Sequence, residues 1–509
     1  MDTTVQGKAF LGGRDLTFIK KFHIILPRII MGRIIMDFYG RKSELALLGE
    51  LTRRSEQFAQ FTAIFGRRRV GKTELVRQHL GTVDNGLYFF VEKRPRQALL
   101  DEFSATLKTQ LSHAPQFSNW RDFFTFLFAE ARHRPLVVVF DEFQNFLSID
   151  PAIYSILQNT WDEWHKQSPI HLIAIGSVVG LMKRVFQDAK EPLYGRLTRQ
   201  IDLPPLPLET VYHLGTTLGF ASPAERLTLY GLFGGMPRYY EMIESMDLGG
   251  KSVAEILRQT LFSTYAPFRH EVRDIILAEF GNASHTYLAI LEAIATGKTR
   301  ISEIAGPAGL PATSLSKYLR ELADMFDLIE REVPITEKSW KTKKSHYKIK
   351  DPFITFWMRF IHRQLSLYES GNHRYFLDRL DTYLAEFMGL AFEDMVKELL
   401  QDLNSRNQAP IPFHQIGRWW NRQTEIDLVA LNADIDSTLF AECKWTSSPV
   451  DSGVLHALKE KSKAVPTATE HSVYLLASRN GFSDRLKSKQ NDQLLLWDLS
   501  EMDRLIQIP

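Results

Sequence analysis

The chain has 509 residues, too many for one hydrophobic core, and its length alone leads us to expect about three or four domains. Its 62 Lys and Arg residues balance 60 Asp and Glu, with 44% of residues hydrophobic and 24% charged. That is an ordinary soluble globular composition, which excludes no partner class and requires any nucleic-acid surface to be local. The lone cysteine, Cys443, excludes an intrachain disulfide and a Cys/His metal cluster, and fits a reducing, cytoplasmic setting.

At the N-terminus, Phe22 to Met36 is rich in Ile and Met, but Arg28 and Arg33 interrupt it. No run reaches the roughly 18 apolar residues that a membrane span needs, and no small-residue cleavage site follows, so no membrane partner is expected. Residues 1–35 read as a poorly ordered extension without function, with Met31 and Met36 just ahead of the first motif.

The first chemistry-bearing motif is Gly66-Arg-Arg-Arg-Val-Gly-Lys-Thr73. A short apolar run, Phe61 to Phe65, precedes it, and a helical pattern from Glu74 to Leu80 follows. Strand, loop and helix in this order bring backbone N–H groups and a helix dipole to bear on a phosphate, with glycines allowing close approach. Gly66, Arg67, Arg68, Arg69, Val70, Gly71, Lys72, Thr73 and Glu74 are therefore expected to surround the phosphates of ATP. Lys72 would reach the β- and γ-phosphates, and Thr73 would ligate Mg²⁺. The side chains of Arg67, Arg68 and Arg69 are expected to be solvated.

Pro135-Leu-Val-Val-Val-Phe140 reads as a strand buried on both faces and ends in Asp141-Glu142, where a ligand crevice is expected. Asp141 is placed to hold Mg²⁺ and Glu142 to act as general base on the attacking water. His171 to Gly176 is a further buried strand. It ends at Ser177, which is either a sensor of the terminal phosphate or a helix cap.

The segments Phe38-Tyr-Gly-Arg-Lys-Ser-Glu-Leu45, GRRRVGKT, VVVFDEFQ, Pro192-Leu-Tyr-Gly-Arg196 and Gly234-Gly-Met-Pro-Arg238, in this order, resemble the archaeal-type ATPase family. That family belongs to the AAA+/STAND-related P-loop class and also occurs in bacteria. The resemblance spans residues 36 to 480. It implies that Phe38 and Arg41 lie near the adenine and that Gly234 to Arg238 opens the sensor-2 region of a helical lid. Arg196 would sit near the γ-phosphate or at a subunit interface, which would make a homo-oligomer the partner.

Between Thr286 and Lys350 the pattern changes. Tyr287, Leu288, Ile290, Leu291 and Ile294 form a helical stripe closed by Gly297, Ile301 to Ala305 is a second helix, and Ala312 to Met325 is a third. This is helix-turn-helix spacing, and the third helix offers Ser314, Ser316, Lys317 and Arg320 to a DNA groove. Leu328 to Val333 and His346 to Ile349 read as the strands of a wing, with Lys338, Lys341, Lys343 and Lys344 around Trp340. In the family, Tyr347 to Phe360 links such a domain to a C-terminal domain of unknown function 234. Its aromatics, at helical spacing, read as interdomain core.

The C-terminal part returns to α/β. A helix carries Glu393, Glu425 to Ala430 is a strand carrying Asp427, and Thr438 to Lys444 ends in Glu442-Cys443-Lys444. An Asp followed by Glu-x-Lys resembles the PD-(D/E)XK arrangement of restriction-endonuclease-like folds. Strand alternation puts Glu442 and Lys444 on one face beside Asp427. Asp427, Glu442 and Glu393 are then candidate Mg²⁺ ligands, and Lys444 a candidate to activate water. An inherited fold that no longer cuts gives the same pattern. Trp419 and Trp420 could stack on nucleic acid or serve as core of a small sheet.

The expected fold is therefore a multidomain α/β chain. It comprises a P-loop parallel-sheet core (36–205), a helical lid (206–282), a winged helix (283–350), linker helices (351–380) and a restriction-endonuclease-like α/β domain (381–509). ATP and Mg²⁺ are the cofactors, and DNA is the partner through the last two domains.

Overall fold

The computed structural model describes residues 29–30, 33–34, 38–338, 342, 344–432, 434, 437–466 and 472–507. The N-terminal extension falls outside these, apart from a ladder pairing Ile29–Ile30 with Arg33–Ile34. So do Trp340, Lys341 and Lys343 of the expected wing.

Five parallel strands build the first domain: β1 (Gln60–Phe65), β2 (Gly86–Phe90), β3 (Leu136–Asp141), β4 (Ile170–Gly176) and β5 (Arg199–Asp202), in the order β2-β3-β4-β1-β5. β3 and β4 are buried at every residue, as continuous apolar runs covered on both faces must be. The two edges, β2 and β5, escaped the sequence pattern because each is half-covered and β5 carries Arg199, Gln200 and Asp202. Helices α1 (Lys42–Ser55) and α2 (Lys72–Leu80) pack on one face. On the other lies an aromatic layer in which Phe103 and Phe123 meet Phe89 and Phe140.

A buried polar chain fixes α2 to the sheet. The Thr52 hydroxyl lies 2.8 Å from both His79 and His171, and the other nitrogen of His171 lies 2.8 Å from Thr62. Burial pushes the two imidazoles down, His79 to about 4 and His171 to about 3, so both are neutral at physiological pH.

The lid follows as α3 (Leu208–Thr217), α4 (Pro223–Phe233) and α5 (Pro237–Ser245), with a capping box at Ser222 and Glu225 starting α4. Gly235 is where lid meets core. Its carbonyl accepts from the Leu206 N–H at 2.7 Å, and a Cβ there would stand 1.8 Å from the Leu206 carbonyl oxygen.

After α6 (Glu271–Phe280) come α7 (Ser284–Ala295), α8 (Ile301–Ala305) and α9 (Ala312–Arg320), then an antiparallel pair, β6 (Ile329–Glu332) and β7 (His346–Ile349). The helix expected to run to Met325 ends its regular course at Arg320. Its last turn, Glu321–Met325, widens to π spacing, with the Phe326 N–H donating to the Glu321 carbonyl at 3.0 Å. α10 (Pro352–Phe360), capped by Asp351, buries Phe353, Phe356, Trp357 and Phe360 in a core continuous with the lid and the winged helix. Those aromatics are interdomain core, as their spacing suggested.

The C-terminal unit has α11 (Leu380–Ser405) on one face and α12 (Ser452–Ser462) on the other of a five-stranded mixed sheet. Its strands are β8 (Gln415–Trp420), β9 (Glu425–Asn432), β10 (Ser437–Lys444), β11 (Val473–Ser478) and β12 (Leu494–Trp497), in sequential order. The first three run antiparallel and the last three parallel; a helix, α13 (Leu499–Gln507), closes the chain.

Two seams join this unit to the rest. On the lid side, Glu398 of α11 accepts from the Leu208 N–H at 2.7 Å and the Tyr230 hydroxyl at 2.6 Å, and Gly231 admits Met388 and Met395. On the wing side, the Ile335 N–H donates to the Arg418 carbonyl at 3.0 Å, Trp419 Nε1 donates to Thr336 at 3.1 Å, and Trp420 stacks on His346 at 4.4 Å. Both tryptophans are therefore spent on this seam and closed to nucleic acid. Among the described residues, no helix is long and apolar enough to cross a membrane.

Gly235→Ala would drive a methyl group into a backbone carbonyl. It should lower unfolding stability by at least about 2 kcal/mol in a denaturant titration.

Candidate functional site

β1 runs into Gly66, where a Cβ would come within 2.7 Å of the Leu203 carbonyl oxygen. The loop ends at Gly71, whose φ of 95° turns the chain into α2. The first turn of α2 thus faces a cleft of 560 Å³, lined by Val70, Gly71, Lys72, Thr73 and Glu74. Phe38 and Arg41 also line it, as expected. Arg41 is anchored rather than free: it has a left-handed φ of 60°, donates to the Val70 carbonyl at 3.4 Å and to the Pro204 carbonyl, and pairs with Glu44 at 3.2 Å. Tyr39, of the segment expected near the adenine, also lines it, as do Arg77 and Glu241, which sequence patterns did not single out.

Opposite the loop, the Asp141 carboxylate accepts from the Thr73 hydroxyl and the Tyr88 hydroxyl, each at 2.7 Å, and from the Glu142 N–H at 2.8 Å. Glu142 adopts a left-handed φ of 56° and accepts from the Ser177 hydroxyl at 2.8 Å and from the Gln144 amide. Ser177 is therefore tied to the general-base candidate. Lys72 is buried and donates to the carbonyls of Gly66 at 2.7 Å and Arg67 at 2.9 Å. Burial pushes its ammonium down to about 8, against the pull of Glu142 and Asp141.

The three loop arginines depart from expectation. They are not merely solvated: Arg67 pairs with Asp351 at 3.0 Å, Arg68 with Glu279 at 2.8 Å, and Arg69 with Glu271. All three still lie beside the phosphate path, Arg68 and Arg69 in the cleft itself and Arg67 just behind it. Arg238 lines the cleft, half-exposed, with Glu241 at 3.4 Å. Arg196 does not line it. Asp162 holds its guanidinium at 2.9 Å and the Tyr194 carbonyl takes a second bond at 2.7 Å, so within one chain it has no access to the nucleotide cleft.

In the C-terminal sheet, the register Leu428↔Ala441 puts Asp427 opposite Glu442 on one face, as strand alternation predicted. Lys444 donates to Glu442 at 2.7 Å, and the Cys443 N–H donates to Asp427 at 2.8 Å. A residue the sequence did not reveal, Lys461 of α12, donates to both Glu442 oxygens, at 3.1 and 3.0 Å. Glu393 meets Arg418 at 3.4 Å, and Arg418 also grips Glu425 at 2.5 Å. Burial and then the Asp427 charge push Glu393 up to about 8; burial and then Glu442 push Asp427 up. Burial opposes the Lys444 charge, but Glu442 prevails and holds the ammonium above its ordinary value. Among the described residues, no three Asp, Glu, His or Cys side chains converge to hold a metal. Of the expected metal set, Asp427 and Glu442 share one face of the sheet, and the Asp427 charge also reaches Glu393. Two ammonium groups contact Glu442, and Arg418 lies between Glu393 and Glu425.

The fold and the loop define a P-loop ATPase domain. Residues 38–243 match the family described as an ATPase domain predominantly from Archaea, and residues 357–461 match a family of archaeal and bacterial proteins of unknown function. An uncharacterised protein of Methanocaldococcus jannaschii is 32% identical over 468 residues, 91% of this chain and 99% of that protein. The chain belongs to this archaeal ATPase family, an ATPase domain followed by a C-terminal domain of unknown function. Among solved structures, a Walker-type ATPase of Pyrococcus abyssi shares the fold, with a TM-score of 0.51 and 21% identity over 63% of this chain and 96% of that one. The ORC2 protein of Aeropyrum pernix, solved in ADPNP–ADP complexes, aligns with a TM-score of 0.44 and 16% identity over 67% of this chain and 96% of that one. Membership in a P-loop ATPase family implies nucleotide binding.

Lys72 supplies a pH test. A nucleotide's phosphates favour its charged form, so the ammonium titrates at about 8 in the free protein and higher in the complex. Nucleotide affinity should be flat below pH 8 and weaken as pH rises above it. Calorimetry at pH 9 in buffers of different ionisation enthalpy should show proton uptake on binding.

Proposed function

We propose that the protein hydrolyses ATP, and that its nucleotide state governs DNA contact by the winged helix and the disposition of the C-terminal domain. The observation that carries the catalytic part is the contact between Thr73 and Asp141, at 2.7 Å, beside the buried Lys72 amine. A hydroxyl and a carboxylate facing one another at a helix N-terminus suit Mg²⁺, which Thr73 and Asp141 would hold and which would neutralise phosphate charge. Lys72 exchanges its two carbonyl partners for phosphate oxygens. Glu142, oriented by Ser177 and Gln144, takes the proton of the attacking water, while Phe38 and Arg41 lie at the adenine end.

Support for DNA contact comes from α9, where Ser314, Lys317 and Arg320 are exposed and Ser316 is partly so. The wing offers less, since Lys344 is paired with Glu337 at 2.7 Å and the hairpin base leans on β8. For the C-terminal domain, a second reading is favoured by Lys461. With two lysines on Glu442, the domain docks a partner, and the protein is an ATP-dependent switch rather than a nuclease.

Lys72→Ala should abolish ATP turnover, and Glu142→Gln should keep ATP binding while lowering turnover by roughly 10²- to 10⁴-fold. Turnover at the parent's rate in both variants would sink the catalytic assignment. Incubating plasmid with the protein and Mg²⁺ or Mn²⁺, with and without ATP, decides between the two readings of the C-terminal domain. Intact plasmid is expected of the switch, whereas cleavage that disappears in Lys444→Ala would establish a nuclease.

A further inference from the structure

Every arginine of the phosphate loop ends on a carboxylate outside the sheet domain, and the three acids are not equivalent. Their side chains are 2%, 8% and 6% exposed at Asp351, Glu279 and Glu271. Asp351 has a structural duty, since its other oxygen caps α10 by accepting from the Ile354 N–H at 3.0 Å. Glu271 opens α6, where the helix dipole welcomes an acid.

Glu279 has no such excuse. It lies in the last turn of α6, where the dipole disfavours negative charge. Burial and the neighbouring Glu142 both push its carboxyl up, and Arg68, Lys72 and Arg67 pull the other way. The group therefore sits among the general-base candidate, the phosphate-binding lysine and the loop arginines. A small cavity behind the loop makes the placement explicit. Glu279 lines it together with Arg68, Arg69 and Ser177, and those last three also line the nucleotide cleft.

We propose that Glu279 is a specificity-determining residue of the nucleotide site. Its carboxylate stands beside the terminal-phosphate position, so that this conformation accepts a nucleoside diphosphate more readily than a triphosphate. This rests on the loop being a nucleotide site. A triphosphate completes its contacts when Arg68 leaves Glu279 for the γ-phosphate, and the freed acid must then move away with α6, which leads through Gly281–Ala283 directly into the winged helix. Like charges a few ångströms apart in a partly buried site repel strongly, and the neutral isostere removes that repulsion without changing shape.

The test is calorimetric titration of the full chain with ADP and with a non-hydrolysable ATP analogue, each with Mg²⁺. Glu279→Gln should tighten the analogue by about tenfold or more and change ADP affinity by less than about twofold. Arg68→Ala should act in the opposite sense, weakening the analogue more than ADP, and so gives an answer even if Glu279→Gln folds poorly. Glu271→Gln, which breaks the neighbouring Arg69 pair on the same helix, should leave the ratio of the two affinities unchanged. Equal shifts for both nucleotides in Glu279→Gln, or the same change of ratio in Glu271→Gln, would overturn the assignment. Failure of the parent to bind either nucleotide would instead remove the nucleotide reading beneath it.

Discussion

The carboxylate of Asp141 is the point on which the nucleotide-binding half of the molecule turns, because it accepts hydrogen bonds from groups on three separate elements. Thr73 reaches it from the first turn of α2, Tyr88 from β2, and the Glu142 N–H from its own strand end. A buried carboxylate is tolerable only when its lone pairs are used, so these partners are held in register with one another. The same contact sets the separation of the phosphate loop from the acidic pair, which is the distance that phosphoryl chemistry needs to control.

From that centre the structure spreads outward without a break. One hydrophobic core runs from the P-loop face of the sheet, through Tyr239 and Phe268 of the lid region, to Phe353 and Trp357 of α10 and Leu319 of the winged helix. Close-packed interiors have low compressibility and transmit strain, so the helices after β5, the α7–β7 unit and α10 are packed as one body. The C-terminal unit is tied to the same body by the Glu398 bonds and by Met388 and Met395 against Gly231. The P-loop domain and both later units therefore form one packed body.

The C-terminal sheet shows how residues that share a face acquire partners from other elements. Asp427, Glu442 and Lys444 share a face as their spacing requires, yet Lys461 and Arg418 redistribute the charges around them. Lys461 reaches Glu442 from α12, and Arg418 reaches Glu393 of α11 from β8.

Much of this was legible in the sequence where backbone demands and residue patterns coincide. Gly66, Gly71, Lys72 and Thr73 announce the loop; the apolar runs into Asp141 and Ser177 announce buried strands; the helical stripe at Tyr287 to Ile294 and the strands at Glu425 and Thr438 mark the later domains. The edges β2 and β5 were not legible, since half-covered strands carry little periodicity, and nor was the interior strand β11. Local sequence determined which elements form and where phosphate chemistry can sit, because those follow from hydrophobic period, glycine geometry and strand ends. Only the tertiary structure decided that Arg67, Arg68 and Arg69 end on Asp351, Glu279 and Glu271, that Arg196 stays away from the cleft, and that Lys461 occupies Glu442. The three loop-arginine pairs join residues hundreds of positions apart and depend on how whole domains dock, the other two on how neighbouring elements pack, and no local pattern encodes either.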